Sequence, residues 1–126
     1  MSQSIIKRSA MAEQIGNFTL NASFSTPTTW YPPQLIKRNG ICILHGVATG
    51  KYVQVNQEDI LLTIDSESFR SPQNTMIGIV VGETMLDCLL SFTGQVYLRG
   101  IAGNSSFPYD ISNKAIYFNA MWKARS

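Results

Sequence analysis

The amino-acid sequence predicts an all-β domain, a small antiparallel β-barrel or sandwich. Short apolar runs of strand length recur along the chain, and each is bounded by turn-forming residues. Two of the intervening turns, at Asn39–Gly40 and Thr93–Gly94, carry the residues typical of tight hairpins. Helical spacing is confined to Ser4–Gln14, which begins without a clear capping residue. These three observations together favour an all-β fold over a helical or mixed one.

The strands follow from the runs in chain order. Residues 17–24 alternate strictly between apolar and polar side chains, beginning with Phe18 and ending with Phe24, which predicts one half-buried strand. The prolines of Ser25–Pro33 exclude a central strand there, because proline cannot donate to a strand ladder. Further strands are predicted at Leu35–Lys37, Ile41–Thr49, Ile60–Ile64, Met76–Val81, Leu86–Phe92, Gln95–Ile101 and Ala115–Trp122.

The last run, Ala115–Trp122, differs from the others because both of its faces are apolar. Ile116, Phe118 and Trp122 share one face, and Tyr117 and Met121 share the other. A small barrel has room inside for only one of these faces, and the other would be an aggregation hazard if it stayed uncovered. We therefore expect a homotrimer around this surface. Residues 1–16 are expected to form an N-terminal arm or neck linker, and residues 17–126 the β-barrel domain.

Composition narrows the classes of function. The chain has 126 residues, 44% hydrophobic and 14% charged, which suits one domain that can bury a core without cross-links or metal. Its net charge of +2 is far from the basic surface that tracks phosphates, so nucleic acid is not an expected partner. Its apolar runs all fall short of the roughly 18 residues that span a bilayer, so membrane insertion is not expected.

The reactive side chains favour neither metal binding nor catalysis. Cys42 and Cys88 lie in apolar runs and are predicted to be buried free thiols, although their spacing does not exclude a disulfide. His45 is the single histidine, without the Cys/His spacing of a zinc site, and is predicted to be structural or, alternatively, a polar ligand contact. We expect no cofactor and no metal.

Paired carboxylates offer the nearest approach to a catalytic motif. Asp65 with Glu67 and Glu58 with Asp59 are spaced closely enough to suggest a glycosidase pair, but no aromatic sugar platform lies near them in the sequence. We interpret them as solvated loop charges and expect no enzymatic activity. A small wall-degrading glycosidase is the remaining enzymatic alternative.

The order of several segments resembles the head domains of phage receptor-binding and baseplate proteins. These segments are Trp30, the run Leu35–Val47 with its Asn-Gly turn, Ile60–Ile64 leading to the corner Phe69–Pro72, the strand start Gly94–Leu98, and a closing aromatic strand. The resemblance spans about Trp30 to Trp122. It implies a compact trimeric barrel at a fibre tip that binds host-wall saccharide without hydrolysing it.

The resemblance also implies location and partners. The chain is expected at the tail tip of the virion of a phage, or on a phage-tail-like particle, after assembly in the host cytoplasm. Its expected partners are host cell-wall saccharide, further copies of itself in a homotrimer, and other tail or baseplate proteins. The alternative is a structural baseplate or fibre module that joins proteins without binding glycan.

Loop residues able to stack or to form forked hydrogen bonds are the predicted saccharide contacts. Aromatic rings provide stacking faces, while Arg, Asn and Asp side chains donate to or accept from hydroxyls. Hairpin ends gather at the two poles of a barrel, and the arm is expected at the pole facing the particle, which leaves the opposite pole for the host. The predicted site residues are Trp30, Tyr31, Arg70, Asn74, Tyr109 and Asp110.

Overall fold

The computed structural model describes residues 13–21, 24–25, 31–50, 54–103 and 106–125. Within these ranges the chain forms β-strands and one short 3-10 helix at Glu67–Phe69, without an α-helix, which confirms the all-β prediction. The described residues include no helix with the length and hydropathy needed to cross a membrane. The strands are β1 (Gln14–Gly16), β2 (Phe18–Leu20), β3 (Phe24–Ser25), β4 (Gln34–Arg38), β5 (Ile41–Gly50), β6 (Gln54–Val55), β7 (Ile60–Ile64), β8 (Thr75–Val81), β9 (Thr84–Leu90), β10 (Gln95–Ile101), β11 (Tyr109–Asp110) and β12 (Ala115–Lys123).

One antiparallel sheet contains nearly all of these strands and curls into a nearly closed barrel. Its order is β1-β4-β5-β12-β8-β9-β10-β7-β2, with β3 added beside β5, while β11 and β6 form a separate pair. The two strands at its margins, β1 and β2, are consecutive in the chain and are joined through Asn17 alone. The backbone oxygen of Asn17 accepts a hydrogen bond from the N–H of Asp65 (2.9 Å) at this corner.

The predicted hairpins and several strand limits are confirmed. β4 and β5 pair from Gln34–His45 to Arg38–Ile41 around the Asn-Gly turn, where Asn39 adopts a left-handed φ of 55°. β7 and β10 have the limits predicted from the sequence. The single strand predicted over residues 17–24 is instead two strands, because the chain leaves β7 after β2 and pairs with β5 at β3.

The start of the barrel also differs from the sequence prediction. Gln14–Gly16, the last residues of the predicted arm, form β1 and pair with Leu35–Lys37 of β4. A strand of three residues, with only Ile15 apolar and that side chain exposed, has no periodicity from which to predict it. Residues 1–12, the remainder of the predicted arm, lie outside the described residues.

The core lies inside the barrel and follows the alternation of the strands. On β12, Ile116, Phe118 and Trp122 share the buried face, as predicted, whereas Tyr117 and Met121 point outward and are exposed in the single chain. The indole N–H of Trp122 donates to the backbone oxygen of Phe69 (2.8 Å). This contact ties the last strand to the corner that follows β7.

Both cysteines are buried free thiols, as predicted. Burial raises the pKa of Cys42 to about 11, and burial raises that of Cys88 to about 12. The thiol of Cys42 donates to the backbone oxygen of Phe69 (3.3 Å). Both side chains are therefore protonated parts of the core at neutral pH.

The strand register defines two ends of the barrel. The base is the end at which residue 13 joins β1, and Glu13 forms an ion pair there with Arg38. The turns at residues 39–40 and 91–94 and the corner at residues 65–70 also lie at the base. The top is the opposite end, where β5 finishes at Gly50, β8 turns into β9, and residues 111–114 pack across the strand ends.

Candidate functional site

The structure distributes the predicted saccharide contacts over both ends of the barrel. Arg70 and Asn74 lie at the base, whereas Tyr109 and Asp110 lie at the top. Tyr31 lies beside the upper half of β5, and Trp30 falls outside the described residues. The described members of the predicted set therefore do not form a single site.

The two residues at the base are engaged with the backbone. The Nε–H of Arg70 donates to the backbone oxygen of Ile64 (3.0 Å), and the side-chain oxygen of Asn74 accepts from the N–H of Phe92 (3.1 Å). Both side chains thereby fix neighbouring turns. Arg70 and Asn74 therefore stabilise the fold at the base, where the chain enters the barrel.

Tyr31 is positioned by a close approach between its own segment and β5. Its backbone oxygen accepts from the N–H of Val47 (2.7 Å), so the segment runs alongside β5. Gly46 makes the approach possible, since a Cβ there would lie 2.5 Å from the backbone oxygen of Pro32 and from the Cα of Pro33. Gly46 also has a φ of 130°, which side chains rarely tolerate. The sequence thus needs glycine at this position to place Tyr31.

Tyr31 is 42% exposed, and its ring stands next to the single histidine. Its hydroxyl lies 3.0 Å from Nδ1 of His45, and the two ring centroids are 5.6 Å apart with a tilt of 44°. His45 points outward from β5, between Gln34 on β4 and Asn119 on β12. An exposed ring bordered by polar side chains is the arrangement that stacks on a sugar and donates to its hydroxyls.

The segment after β11 is fixed to the end of β5. The N–H of Gly50 donates to the backbone oxygen of Lys114 (3.0 Å), and the N–H of Asn113 donates back to Gly50 (2.9 Å). A Cβ on Gly50 would lie 1.9 Å from the backbone oxygen of Ile111, so only glycine permits this packing. The Ile111 side chain is fully buried and anchors the segment in the core. These contacts hold the neighbouring polar side chains at the top.

Lys114 and Tyr109 form a stacked pair in this segment. The Lys114 ammonium lies 4.7 Å from the centroid of the Tyr109 ring and donates to its hydroxyl (3.3 Å). The ring also packs against the hydrophobic core. A sugar could stack on Tyr109 only after Lys114 moved away. Tyr109 is therefore placed to hold an ammonium group at the surface rather than to offer an open ring face.

Asp110 is fully exposed and is held as a carboxylate. Its Oδ1 accepts from the N–H of Ser112 (2.8 Å). Hydrogen bonds from Ser112 lower the pKa of Asp110, and the nearby charge of Lys114 lowers it further. The carboxylate can therefore accept hydrogen bonds from ligand hydroxyls throughout the neutral and mildly acidic range.

We name Tyr31, Tyr109, Asp110, Ser112 and Lys114 together the top cluster. Its two parts attach to β5 at Val47 and at Gly50, about 10 Å apart along the strand. An exposed ring can stack on a polyhydroxylated ligand, a carboxylate can accept hydrogen bonds from its hydroxyls, and an ammonium can donate to them. In the part of the chain that the structure describes, His, Cys, Asp and Glu side chains do not gather in a group of three that would suit a metal ion.

Sequence reasoning missed Ser112 and Lys114. The Asp110-Ile111-Ser112 spacing is that of a turn in which an Asp side chain accepts from the backbone two residues on, so Ser112 had a usable signal. Lys114 had none, because its position depends on the pairing of its backbone with the distant Gly50. His45 was noted from the sequence, but its contact with Tyr31 depends on the same long-range packing.

The fold defines a class, that of small, nearly closed antiparallel β-barrels. The chain is similar to the crystal structure of the receptor binding protein (gp15) of Listeria phage PSA, with a TM-score of 0.64 and 12% sequence identity. The similarity covers 99% of this chain and 73% of that one. The resemblance expected from the sequence is therefore confirmed in the fold. No protein-family model and no curated protein sequence matches the chain.

Proposed function

We propose that the chain is the host-binding head of a phage tail or phage-tail-like particle, and that its ligand is a host-wall saccharide held at the top cluster. One observation carries the proposal. The chain enters the barrel at the base, whereas the exposed Tyr31 ring and the fixed charges of Asp110 and Lys114 lie towards the top. A head attached to a particle through its base would present the top cluster to the host.

The similarity to a phage receptor binding protein supports this role, since it extends over nearly the whole chain. The chemistry of the top cluster supports a saccharide as the ligand, because it combines a stacking ring with a hydroxyl acceptor and a cationic donor. The head would bind without hydrolysis. In the top cluster Asp110 is the single carboxylate, whereas glycoside hydrolysis ordinarily uses two carboxyl groups that flank the scissile bond.

We further propose a homotrimer in the virion tail tip, assembled in the host cytoplasm with other tail or baseplate proteins. The exposed Tyr117 and Met121 on the outer face of β12 support association with further copies. Three copies would also multiply a weak individual affinity into a strong attachment.

The test is binding of the purified full chain to cell walls from a panel of bacteria, intact and stripped of polysaccharide. We expect binding to intact walls of the host strain and little binding to stripped walls. Tyr31→Ala should weaken binding per protomer about tenfold, corresponding to about 1–2 kcal/mol. The matched control is Phe92→Ala, which removes an exposed ring at the base and should leave binding unchanged.

Two results would contradict the proposal. Equal results with intact and stripped walls would exclude the saccharide, and they would favour the alternative, a structural fibre or baseplate module, if the chain bound neither wall. Release of soluble fragments from purified wall polymer would show that the chain is an enzyme.

A further inference from the structure

Three exposed methionines lie on adjoining strands of the barrel. The chain has five methionines, of which Met76 on β8, Met85 on β9 and Met121 on β12 are 59%, 40% and 64% exposed. Tyr117, on β12 like Met121, is 45% exposed. Large apolar side chains scattered singly over a surface need no explanation, but a group on neighbouring strands indicates a contact surface.

The strand register places these side chains on one side of the barrel, in two rows separated by Asn119 on β12, Gly78 on β8 and Asp87 on β9. Tyr117 lies opposite Val80 of β8, and Val80 lies opposite Met85 of β9. Nearer the base, Met76 lies opposite Leu89. All occupy the outward positions of their strands, since the residues between them are largely buried. We define the methionine face as Met76, Val80, Met85, Leu89, Tyr117 and Met121.

Gly78 adds no side chain of its own to the methionine face. Gly78 occupies an outward position of β8, and an ideal Cβ there would lie 2.6 Å from the sulfur of Met85. The Met85 side chain therefore lies across the space that a larger residue at position 78 would fill. Methionine is unbranched and adapts its shape to a partner, so this surface suits contact with another protein.

We propose that the methionine face is the surface through which copies of this chain contact one another. The inference rests on the homotrimer proposed above and assigns its contact surface. The outward positions of these strands include one acid, Asp87, which lies between Met85 and Leu89 on β9, and one base, Lys123 at the end of β12. In a closed ring each copy presents one flank to its neighbour, so these opposite charges can meet, whereas two like charges would repel.

A second copy fits this face better than a glycan does. A glycan needs several hydrogen-bonding partners, whereas this surface is mainly apolar and offers only the hydroxyl of Tyr117 and the side chains of Asn119 and Asp87. Burial of exposed methionine and tyrosine side chains instead favours association with a similar apolar surface. The top cluster and the methionine face thus divide saccharide binding and self-association between separate surfaces.

The test compares the mass of the full chain in solution with that of three variants. Light scattering should give three copies for the natural chain at micromolar concentration. Met121→Glu should dissociate at least tenfold more readily, because a charge would be buried in the contact. The matched control Met121→Leu should keep the assembly, and Glu83→Gln, at the exposed top hairpin, should do the same. Circular dichroism would show that each variant is folded.

Oxidation tests the methionines themselves. Hydrogen peroxide transfers one oxygen atom to the thioether sulfur, giving the polar sulfoxide, and is itself reduced to water. Peroxide treatment should dissociate the natural assembly. It should leave intact the triple variant Met76→Leu, Met85→Leu, Met121→Leu, which keeps both cysteines and the other two methionines.

The outcomes separate this inference from the proposed function. A natural chain that is monomeric would overturn both the homotrimer and the contact surface, without affecting wall binding. A trimer that survives both Met121→Glu and peroxide would leave the homotrimer standing and show that the methionine face is not its contact. Wall binding per protomer is measured on the same samples, and its loss in Phe92→Ala but not in Tyr31→Ala would contradict only the top cluster.

Discussion

The base and the top of the barrel use similar polar side chains for different purposes. At the base, the Arg70 and Asn74 side chains bind to backbone groups of other segments. At the top, Asp110 and Lys114 bind mainly within their own short segment and keep their charges at the surface. Residue type therefore predicts what a side chain can do, whereas its place in the fold decides which of those tasks it performs.

Phe69 shows how strongly the base depends on buried contacts. Its backbone oxygen accepts from both Cys42 and Trp122, and the Lys37 ammonium lies 4.6 Å from its ring centroid. The ring also fills the space beside Gly16, where a Cβ would approach it to 2.7 Å. The base is therefore the end at which the first and last strands are joined to the core.

The largest expected effect is that of Phe69→Ala. Loss of this buried ring should lower the free energy of unfolding by about 3–5 kcal/mol, because it removes apolar contacts and leaves a cavity. Urea unfolding followed by tryptophan fluorescence measures the change. Phe92→Ala, which removes an exposed ring at the same end, should lower it by less than about 0.5 kcal/mol. Equal effects of the two variants would show that Phe69 does not join the base to the core.

Gly46→Ala should have the next largest effect and should act on both stability and binding. Strain at its φ of 130° together with the close approach of Pro32 should cost about 2–4 kcal/mol of unfolding free energy. The substitution should also displace residues 31–33 from β5, and wall binding should therefore weaken although Tyr31 itself is unchanged.

Gly82→Ala is the matched control for this variant. Gly82 also has a positive φ, of 60°, but has open space around the position of a Cβ. Its substitution should cost about 1–2 kcal/mol from backbone strain alone and should leave wall binding unchanged. If Gly46→Ala and Gly82→Ala lowered the free energy of unfolding equally, the packing of the Tyr31 segment against β5 would not contribute to stability.

A pair of smaller substitutions separates the tasks of the two ends. Arg70→Ala should lower the free energy of unfolding by about 1–2 kcal/mol, since the backbone oxygen of Ile64 loses its donor, and should leave wall binding unchanged. Lys114→Ala should do the reverse, weakening wall binding several-fold while costing less than about 1 kcal/mol of stability. The free energy of unfolding and the wall affinity are measured for both variants. A loss of wall binding in Arg70→Ala would show that the base contributes to the saccharide site.

The sequence was sufficient to predict features that depend on local pattern. The Asn39–Gly40 hairpin, the limits of β7 and β10 and the buried face of β12 follow from turn chemistry and alternation within a few residues. It was insufficient where a choice between distant partners decides the structure. Residues 17–24 alternate as one strand would, yet β2 pairs with β7 and β3 with β5.

The same distinction explains the candidate site. Tyr31 and Asp110 were predicted as ligand contacts from their chemistry and their loops, and the structure leaves both at the surface. Arg70 and Asn74 were selected by the same criteria, but their partners, Ile64 and Phe92, are fixed by how the turns pack at the base. One sequence does not show which loops share an end of the barrel, because that depends on the order of strands in the sheet.

The smallest expected effect concerns Asp110 and its dependence on pH. Since hydrogen bonds from Ser112 lower the pKa of Asp110 in the folded chain, folding favours the ionised form. Its contribution to stability is therefore complete above the unfolded pKa of about 3.9 and is lost as the pH falls through the lower folded value. Asp110→Asn should be slightly less stable than the natural chain in urea at neutral pH and indistinguishable from it in strong acid.

The lowered pKa of Asp110 also predicts how wall binding depends on pH. Because Asp110 stays ionised well below neutral pH, its contribution to wall binding should be constant between about pH 7 and pH 5. Comparing the natural chain with Asp110→Asn across this interval isolates that contribution from any other titrating group. A difference between them that shrinks within the interval would mean that Asp110 takes up a proton there, contrary to the hydrogen bonds that Ser112 provides at the top of the barrel.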